Sequence, residues 1–590
     1  MKENLVNDKE QAFLSKTLST IDTKAPIEIG LADLVYSGPN VESLGKFYDE
    51  MGFKQLKQAL NASQANQAET LNFTVVDKVS QDMLSADSIF HFELFGENYH
   101  TDDLVGFAWS CGDKLYATDK LELLQEPIFK DFLEKTPLRV YDFKKAKVLL
   151  HRFGLDLQAP AFDSRLAKYL LSTVEDNEIA TIASLYGQTY LVDDETFYGK
   201  GVKKAIPERE KFLEHLARKL AVLVETEPIL LEKLSENGQL ELLYDMEQPL
   251  AFVLAKMEIA GITVKKETLL EMQAENEVVI EQLTQEIYEL AGEEFNINSP
   301  KQLGDILFVK MNLPSGKKTK TGYSTDVMVL EDLESYGYNI ARLLLDYRKL
   351  NKLKTTYVDT LPNLVDSNSR IHTSFNQIGT ATGRLSSSEP NLQNIPVKTD
   401  DGIKIREGFV AGAGKVLMSI DYSQVELRVL TSMSKDENLI EAYREEKDLH
   451  DLTARRIFNL SDSDDVTREQ RTIAKIINFS IIYGKTAFGL AKELKIPVKD
   501  ASEYIKKYFE QYPRVTTFEK EVIEFGEEHG YVKTLFGRKR YISGIDSKNK
   551  TIKAQAERMA VNTVIQGTAA EVLKKVMLKV YETLKDKDDI

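Results

Sequence analysis

Cysteine and tryptophan are almost absent from this chain of 590 residues, which contains one cysteine, Cys111, and one tryptophan. A single cysteine excludes an intramolecular disulfide and is typical of a protein kept in a reducing cytosol. Long hydrophobic runs are also missing, since no apolar stretch approaches the roughly 18 residues that a membrane span requires. The N-terminal residues MKENLVNDKEQAFL lack the apolar stretch of a secretory signal. We therefore predict a cytoplasmic protein that does not enter a membrane.

Positive charge is in deficit, because 76 lysines and arginines stand against 93 aspartates and glutamates, for a net charge of -17. An acidic balance by itself argues against a partner made of phosphates. The basic residues are nevertheless concentrated in three tracts: residues 533–553, the loop PSGKKTKTGYST, and a predicted helix with Arg342, Arg348, Lys349, Lys352 and Lys354. Each tract alone is typical of a solvated face. Three tracts in an acidic protein favour a groove for a polyanion, because lysine and arginine replace the counterions that phosphates hold.

The length of the chain, 66.9 kDa, exceeds what one hydrophobic core can organise, so several domains are expected. Residues 1–60 predict a small helical unit, and the polar, aperiodic residues 61–71 predict a linker. Between 72 and 240, short alternating runs such as SIFHFELF precede helical segments, which favours an α/β layer domain. Beyond 245, apolar residues recur every three or four positions, which predicts a helix-rich region with few strands.

The most informative helix contains RTIAKIINFSIIYG and is predicted to begin at a cap near Thr467. Arg471, Lys475, Phe479 and Tyr483 are four residues apart, so they share one face of this helix. Cations on a helix usually only meet water, and aromatic residues at this spacing usually belong to the core. The combination nevertheless suits a nucleotide, because the cations can hold phosphates while a ring covers sugar and base.

A short apolar run, VLMSI, predicts a buried strand that ends at Asp421. A carboxylate in that position suits a hard cation such as Mg²⁺, although a lone aspartate is more often only a turn residue. Hydrogen-bonding side chains also gather at Arg384, Asn391, Gln393 and Asn394 in a loop, and at Arg558, Asn562 and Gln566 on one helical face. Amide-bearing faces suit the DNA minor groove, where acceptors are present whatever the sequence.

Four segments, TATGRLSS through NLQNIP, DYSQVELR, RTIAKIINFSIIYG and ERMAVNTVIQGTAAE, resemble in order and spacing the polymerase motifs of the bacterial family A DNA polymerases. The similarity extends over the whole chain. It implies an α/β and α+β multidomain fold, in which a ribonuclease-H-like 3'-5' exonuclease-type domain precedes a right hand of thumb, palm and fingers. The implied boundaries are 72–240 for the exonuclease-like domain and 245–590 for the polymerase domain, with the thumb at about 265–345, the palm at about 346–440 and 558–590, and the fingers at about 441–557.

The resemblance also implies a role for each matching residue. Asp421 and the Tyr422 carbonyl would bind two catalytic Mg²⁺ ions, and Glu426 would be the steric gate against a ribose 2'-hydroxyl. Gln424 would belong to the nucleotide site, in which His450, Arg471 and Lys475 would bind the triphosphate, with Lys475 also catalytic. Phe479 would pack on the incoming sugar, and Tyr483 would close over the nascent pair. The residues implied to contact DNA are Lys317, Lys318, Thr319, Lys320, Arg384, Asn391, Gln393, Asn394, Arg558, Asn562 and Gln566.

The implied reaction is the attack of a primer 3'-hydroxyl on the α-phosphate of a deoxynucleoside triphosphate, in replication or repair. Primer-template DNA and deoxynucleoside triphosphates are the expected partners, and the protein is expected to act as a monomer. Two metal ions would stabilise the attacking and leaving oxygens.

The chain departs from the family pattern at its C-terminal end, where the family has a His-Asp-Glu turn that supplies a second metal-binding aspartate. The last residues here are EVLKKVMLKVYETLKDKDDI, and Asp588 and Asp589 have the pattern of a solvated tail. We therefore expect an incomplete palm, in an interior piece of a longer reading frame whose first 60 residues are the tail of a 5' nuclease region. The alternative to an active polymerase is a fragment that binds DNA and nucleotide with little or no catalysis.

The exonuclease-like domain departs from the family as well, because its expected cluster of metal-binding acids is depleted. The first motif reads IFHFEL, with His91 two residues before Glu93, and the next expected aspartate falls near Ala146. The last motif places His215 and Lys219 where a tyrosine and an aspartate are expected. A lysine cannot replace a metal-binding carboxylate, so we predict no proofreading activity. A stand-alone nuclease is the least favoured reading.

Overall fold

The computed structural model describes residues 9–21, 40–51, 53, 56, 60, 71–173, 177–186, 191–314, 318–319, 322–397, 399–461 and 463–587. The predicted linker at 61–70, Lys317, Lys320, and the tail residues Asp588 and Asp589 lie outside them. Before the sheet domain, the described helices are Lys9–Ser19 and Val41–Glu50. In the described part of the chain, no helix is both long and apolar enough to cross a bilayer.

A six-stranded mixed sheet organises the N-terminal half. Its strands, in spatial order, are Thr74–Val75, Lys114–Thr118, Leu104–Cys111, Ile89–Leu94, Arg139–Val140 and Phe162–Asp163. The three neighbouring strands 89–94, 104–111 and 114–118 pair antiparallel, and the three outer pairings are parallel. The strand IFHFEL is buried along its whole length, as expected for a strand covered on both faces.

Helices cover this sheet on both faces. They are Gln81–Met83, Leu121–Gln125, Pro127–Lys135, Phe143–His151, Ser164–Leu171, Ile179–Leu185, Asp194–Tyr198, Gly201–Lys203 and Arg209–Glu236. Successive side chains of a strand point to opposite faces. Phe90 and Phe92 therefore enter one core with Trp109, while Ile89 enters the core beneath Arg209–Glu236. His91 and Glu93 share the second face, which fixes what they can meet.

The second half is helical, as its sequence period predicts. The helices between residues 240 and 410 are Leu240–Leu242, Leu243–Glu247, Gln248–Ala260, Lys266–Ala291, Pro300–Asp305, Ile306–Lys310, Val327–Ser335, Asn339–Leu353, Lys354–Val358, Leu361–Leu364 and Asp400–Glu407. They are followed by Val425–Ser434, Glu437–Arg444, Leu449–Phe458, Arg468–Ile482, Ala487–Leu494, Val498–Gln511, Pro513–His529 and Lys550–Leu584.

Strands in this half are few and short. Ile262–Val264 lies between Arg370–Ile371 and Phe409–Val410, and the remaining pairs are Ser374–Asn376 with Ser386–Ser388, Lys318–Thr319 with Gly322–Tyr323, and Tyr531–Lys533 with Lys539–Tyr541.

The prediction of a buried strand ending at Asp421 is wrong for the described chain. Residues 411–424 contain neither helix nor strand. Val416, Met418 and Ile420 are 86%, 80% and 84% exposed, although their side chains are apolar. The physical reason is that strand propensity is realised only beside a partner strand, and the sheet at Phe409–Val410 ends before this run without a described strand to pair with it.

The two halves are joined by buried charge. Glu247, which is fully buried, accepts hydrogen bonds from Arg538 and from Lys574, whose Nζ lies 2.7 Å from Glu247 Oε1. Arg538 Nε also donates to Glu571 Oε1 at 3.0 Å. Although burial opposes it, these cations lower the pKa of Glu247 to about 2. Arg538 therefore belongs to the core, and its assignment to a polyanion-binding tract is corrected.

Candidate functional site

The helix Arg468–Ile482, called the stripe helix below, begins where its sequence predicts. Thr467 accepts a hydrogen bond from the backbone N–H of Gln470, and the Gln470 side chain accepts one from the backbone N–H of Thr467. This reciprocal capping box satisfies two N–H groups that a helix start leaves unpaired. Ala474 and Ile477 anchor the opposite side of the helix in the core. The stripe of Arg471 and Lys475 consequently faces outward.

The two cations of the stripe differ in their partners. Arg471 Nη2 lies 2.5 Å from Asp448 Oδ2, and Arg471 Nε lies 3.1 Å from Asp451 Oδ1. The hydrogen bond to Asp448 raises the pKa of Arg471. Lys475 is exposed and forms no ion pair with any residue that the structure describes. One cation is thus held in place by carboxylates while the other is free to meet an anion.

The rings of the stripe form a continuous aromatic surface. The Phe479 and Tyr483 rings are stacked, with centroids 6.4 Å apart and planes inclined by 19°, and the His450 ring lies 6.1 Å from Phe479. Tyr483 follows the last helical residue, and Gly484 then adopts a φ of +61°. A Cβ on Gly484 would lie 2.7 Å from Arg558 Cγ, so glycine permits both the turn and the close approach of Arg558.

Glu426 brings three distant motifs together. Its side chain is 7% exposed and accepts a hydrogen bond from the Tyr483 hydroxyl, with Tyr483 Oη 3.0 Å from Glu426 Oε2. The Arg384 guanidinium forms an ion pair with the other carboxylate oxygen. Burial and the Glu426 carboxylate raise the pKa of Tyr483, which keeps its hydroxyl protonated as a donor. The segments that contribute these residues are up to 99 positions apart, Arg384 to Tyr483, in the sequence.

Of the residues predicted to contact DNA, Arg384 and Asn562 are in contact with this group. Asn562 Nδ2 donates to the Tyr483 carbonyl oxygen at 3.3 Å, and Gln566 is half-buried one turn further along Lys550–Leu584. Asn391, Gln393 and Asn394 are exposed in a loop, in which Asn391 Oδ1 accepts the backbone N–H of Gln393 at 3.0 Å.

The predicted thumb loop is described only in part. Lys318–Thr319 pairs with Gly322–Tyr323 in a short antiparallel hairpin. Another tract predicted to be basic, on Asn339–Leu353, is largely engaged within the protein: Arg348 donates to the Thr325 carbonyl, and Lys349 Nζ lies 3.4 Å from Asp401 Oδ2. The basic tract on this helix therefore offers less free positive charge than its sequence suggests.

Asp421 and Tyr422 line an open cleft of about 470 Å³ with Arg428, Met433 and Thr568. Asp421 is exposed, and its Oδ1 accepts the backbone N–H of Tyr422 at 2.8 Å. Gln424 starts the next helix with a φ of +54°, and its Oε1 lies 3.1 Å from the Tyr443 hydroxyl. Over the described ranges, no group of three or more histidine, cysteine, aspartate or glutamate residues is arranged to hold a metal ion.

A second group of charges lies between the six-stranded sheet and Arg209–Glu236, and we call it the Glu93 cluster. Its members are His91, Glu93, Asp194, His215 and Lys219. Lys219 Nζ lies 2.8 and 2.9 Å from the two Glu93 oxygens and 2.6 Å from Asp194 Oδ1. His91 Nε2 is 2.5 Å from Glu93 Oε2, and His215 Nε2 is 3.2 Å from Asp194 Oδ1.

The electrostatics of the Glu93 cluster keep its carboxylate ionised. Burial alone would raise the pKa of Glu93, but Lys219 and His91 hold it well below its usual value. Burial alone would lower the pKa of Lys219, but Glu93 and Asp194 raise it. Burial lowers the pKa of His91. A lysine ammonium thus lies between the two acids, where a metal-dependent nuclease would need metal ions.

Sequence reasoning missed four residues of these two sites. Asp194 joins Glu93 as a second acid of the Glu93 cluster, through Lys219. Asp448 and Asp451 pair with Arg471, and Asn478 contacts His450. A signal existed for Asn478 alone, because it lies one residue before Phe479 on the stripe helix. Asp194 belongs to a five-residue helix that has no motif of its own.

Two family models match this chain. The model described as "DNA polymerase family A" matches residues 266–589, and that described as "DNA polymerase I, ribonuclease H-like domain" matches residues 90–226. The first match contains Arg384, Asp421, Glu426 and the stripe helix, and the second contains Glu93 and Lys219. Each match therefore covers one of the two sites.

Curated relatives resemble nearly the whole chain. It is 69% identical over 587 residues to the DNA polymerase I of Streptococcus pneumoniae serotype 4 (strain TIGR4), covering 99% of this chain and 67% of that protein. It is 48% identical over 594 residues to the DNA polymerase I of Lactococcus lactis subsp. cremoris (strain MG1363), covering 100% of this chain and 67% of the relative.

A solved structure shares the fold. The structure described as "POL domain of Pol1 from M. smegmatis complex with DNA primer-template and dNTP" is 33% identical and superposes with a TM-score of 0.75, covering 86% of this chain and 87% of the other. That polymerase domain was observed with both a nucleic acid and a nucleotide.

Proposed function

The chain belongs to DNA polymerase family A and is a DNA-directed DNA polymerase by descent, and from this premise we propose how its residues act. We propose that they add deoxynucleotides, directed by a template strand, to a primer 3'-hydroxyl. The observation that carries the proposal is the convergence of Arg384, Glu426 and Tyr483 beside the stripe cations. These residues and the stripe residues together are called the stripe site. Its positive charge, stacked rings and carboxylate match the phosphates, base and sugar of a nucleotide.

Within the stripe site, we assign the phosphates to His450, Arg471 and Lys475. Lys475 is exposed, and Arg471 is held at the surface by carboxylates, so both can contact an anion while the buried side of the stripe helix stays in place. Phe479 and Tyr483 present stacked rings to sugar and base. Glu426 is fixed by hydrogen bonds on both oxygens, and a carboxylate held in this way can exclude a ribose 2'-hydroxyl.

Family A polymerases use divalent metal ions, and we propose Mg²⁺ at Asp421. The donor set fits in part, because an exposed carboxylate and the nearby Tyr422 carbonyl are hard oxygen ligands. Mg²⁺ keeps several waters and takes further oxygens from substrate phosphates, so two protein ligands are compatible with it. When bound, such ions neutralise charge that develops on transferring phosphoryl oxygens.

The partner is proposed to be a primer-template duplex, which the M. smegmatis polymerase domain was observed to bind. Arg558, Asn562 and Gln566 lie on one face of Lys550–Leu584, next to the Tyr483 carbonyl. Amide groups on such a face can accept or donate to minor-groove atoms at any base pair. Lys317, Lys318, Thr319 and Lys320 are proposed to hold the backbone, and we retain the division into thumb, palm and fingers as part of this proposal.

Formation of a ternary complex tests the binding part of the proposal. A primer that ends in a dideoxynucleotide cannot be extended, so nucleotide affinity is measured without chemistry. We expect the chain to bind the dNTP that matches the template more tightly than the three mismatched ones. When the templating base is changed, we expect the preferred dNTP to change to the one that pairs with the new base. Equal retention of all four would contradict template direction.

A second candidate function is binding of DNA and nucleotide with little catalysis. It is supported by the absence of a metal-binding group of three or more ligands in the described residues. Two metal ions need more than one carboxylate ligand. A site with one ligand fewer would stabilise the transition state less by several kcal/mol, and each 1.36 kcal/mol, roughly, lowers the rate tenfold. Primer extension by these 590 residues is compared with a chain that also carries the family's His-Asp-Glu turn. Equal rates would exclude this candidate.

We further propose that the exonuclease-like domain does not proofread. Lys219 lies between Glu93 and Asp194, and its charge stands where cations would be needed. The test is the Mg²⁺-dependent shortening of a labelled single strand, for which we expect none. Shortening that disappears in Glu93→Ala would refute the proposal, whereas shortening that persists in that variant would indicate a contaminating nuclease.

A further inference from the structure

His450 is held from behind by a buried polar relay. Asn478 Nδ2 lies 2.8 Å from His450 Nδ1, and Thr453 Oγ1 donates to Asn478 Oδ1 at 3.0 Å. The three residues are 3%, 1% and 1% exposed for His450, Asn478 and Thr453. Backbone capping adds to this order, because the His450 N–H donates to Asp448 Oδ1 at 2.8 Å. Both the position and the rotation of the ring are therefore determined.

The relay also determines where the imidazole proton lies. An amide nitrogen is only a donor, so a contact from Asn478 Nδ2 requires a lone pair on His450 Nδ1. The Thr453 hydroxyl donates to the amide oxygen, which leaves the amide nitrogen facing His450. With Nδ1 unprotonated, a neutral imidazole carries its proton on Nε2.

The other ring nitrogen is available to a ligand. His450 Nε2 has no hydrogen-bond partner among the residues that the structure describes. It is also not fully buried, so a ligand can reach it. The Phe479 ring lies 6.1 Å from the His450 ring, and the charges of Arg471 and Lys475 act on His450. The Nε2–H group is thus the one left to donate to the phosphates that are proposed to bind these residues.

We infer that Asn478 is a positioning residue which, supported by Thr453, fixes His450 as a neutral Nε2–H donor to the triphosphate. The inference rests on the proposed function, because it takes a triphosphate as the ligand of His450. The device differs from a third cation, since it supplies a directed hydrogen bond whose geometry does not depend on protonating the ring.

The charges around His450 support a neutral ring. Burial lowers the pKa of His450, and Arg471 and Lys475 lower it further, whereas Asp448 and Asp451 act in the opposite direction. The helix Val498–Gln511 also packs against Leu449–Phe458, the helix that contains His450. Its Lys507 donates to the Ile457 carbonyl, at the opposite end of that helix from His450. Asn478→Asp would place a carboxylate against Nδ1 and favour the doubly protonated ring.

The first experiment measures the dNTP dissociation constant of the full chain on a primer-template ended with a dideoxynucleotide. We expect Asn478→Ala to weaken dNTP binding by about tenfold, the upper range for one hydrogen bond, and Thr453→Val by roughly threefold. Affinity for the duplex is expected to stay within error, and the unfolding midpoint of each variant shows whether it folds, because Thr453→Val leaves the buried Asn478 amide oxygen without its donor. Asn438→Ala, an exposed asparagine that donates to the Gln511 carbonyl, is the matched control and should change nothing.

A double-mutant cycle separates positioning from a structural role. If Asn478 acts through His450, adding Asn478→Ala to His450→Ala should cause no further loss of dNTP affinity. Additive losses would overturn the inference. For Asn478→Asp we expect dNTP affinity to change with pH between about 6 and 9 more steeply than in the wild type, whose own change comes from nucleotide phosphates with a pKa of about 6. Identical profiles in the two proteins would also overturn the inference.

The tautomer is observed directly in the wild-type protein. The chain has 7 histidines, so ring nitrogens labelled with ¹⁵N give few signals, and His450→Ala identifies those of His450. We expect an unprotonated Nδ1 and a protonated Nε2 at pH 7.5. A proton on Nδ1 would overturn the inference whether or not the variants fold. If the tautomer is as expected but the wild type binds no dNTP, the proposed function fails instead.

Discussion

The Glu93 cluster and the stripe site both pair cations with carboxylates, but the first is buried and the second is exposed. In the cluster, Lys219 and Glu93 are 4% and 2% exposed, and each contacts partners within the protein. In the stripe site, the Arg471 side chain is 45% exposed and Lys475 has no described ion-pair partner. One site directs its charge inward, and the other leaves it at the surface.

The difference shows how a fold assigns charge to stability or to binding. A cation sealed against two carboxylates cannot be exchanged for a ligand without exposing buried charge, which costs several kcal/mol. A cation at a wet rim loses little when its carboxylate is replaced by phosphate, because exposed ion pairs contribute only about 0 to 1 kcal/mol. Arg471 with Asp448 and Asp451 fits the second description. We therefore expect mutations in the two sites to affect different measurements.

The largest effect is expected from Lys219→Met, which leaves the Glu93 carboxylate buried without its cation. Breaking a buried pair in this way costs about 3 to 5 kcal/mol of unfolding free energy. Urea denaturation followed by tryptophan fluorescence reports on this domain, because the single tryptophan, Trp109, lies in its sheet. Lys135→Met, which removes an exposed pair with Asp131, should leave the midpoint unchanged. A midpoint equally unchanged in Lys219→Met would erase the distinction between the sites.

Titrating the same ion pairs should give the next largest effect. The pKa of Glu93 is lowered on folding, so its contribution is present above the unfolded value of about 4.3 and is lost as pH falls toward the folded value. The pKa of Lys219 is raised, so its contribution is present below about 10.4 and is lost as pH rises through the folded value. Trp109-detected stability should be level from about pH 7 to 10. Below about pH 6.5 the lowered pKa of His91 also reduces stability, and Glu93→Gln should reduce the further decline below about pH 4.3. An unreduced decline would place its cause elsewhere.

Lys475→Ala sharpens the comparison from the side of binding. A charged hydrogen bond contributes about 1.5 to 3 kcal/mol, so dNTP affinity should fall roughly 10- to 150-fold. Duplex affinity and the unfolding midpoint should remain nearly unchanged, because Lys475 is exposed. Lys499→Ala, another exposed lysine in the same region, is the control. Parallel losses of dNTP and duplex affinity in Lys475→Ala would show that the stripe is structural.

The smallest effect is expected at the start of the stripe helix. Thr467→Ala removes the capping box with Gln470 and should cost about 1 kcal/mol of stability, while Thr467→Ser should restore most of it. Differential hydrogen exchange at residues 468–472 measures this fraying locally. Protection that is equal in all three proteins would mean that tertiary contacts, rather than the cap, hold this end of the helix.

Local sequence patterns made much of the stripe site predictable. The spacing of Arg471, Lys475 and Phe479 depends only on helix geometry, and the Thr467 cap depends only on neighbouring residues, so both followed from the sequence. The strand before Asp421 failed because pairing is a property of two segments, and the described chain offers no partner for it. Asp194 and Asp448 were missed for the same reason, since their importance arises from cations 25 and 23 positions away.

The sequence by itself determined the family of this protein and the face of the stripe helix. The tertiary structure alone decided that Arg538 stabilises the core, that Lys219 occupies the space between Glu93 and Asp194, and that Asn478 orients His450. Helical periodicity and motif order are local and survive in a linear string of residues. Burial is not local, and it decides whether a charge binds a ligand or a neighbouring residue.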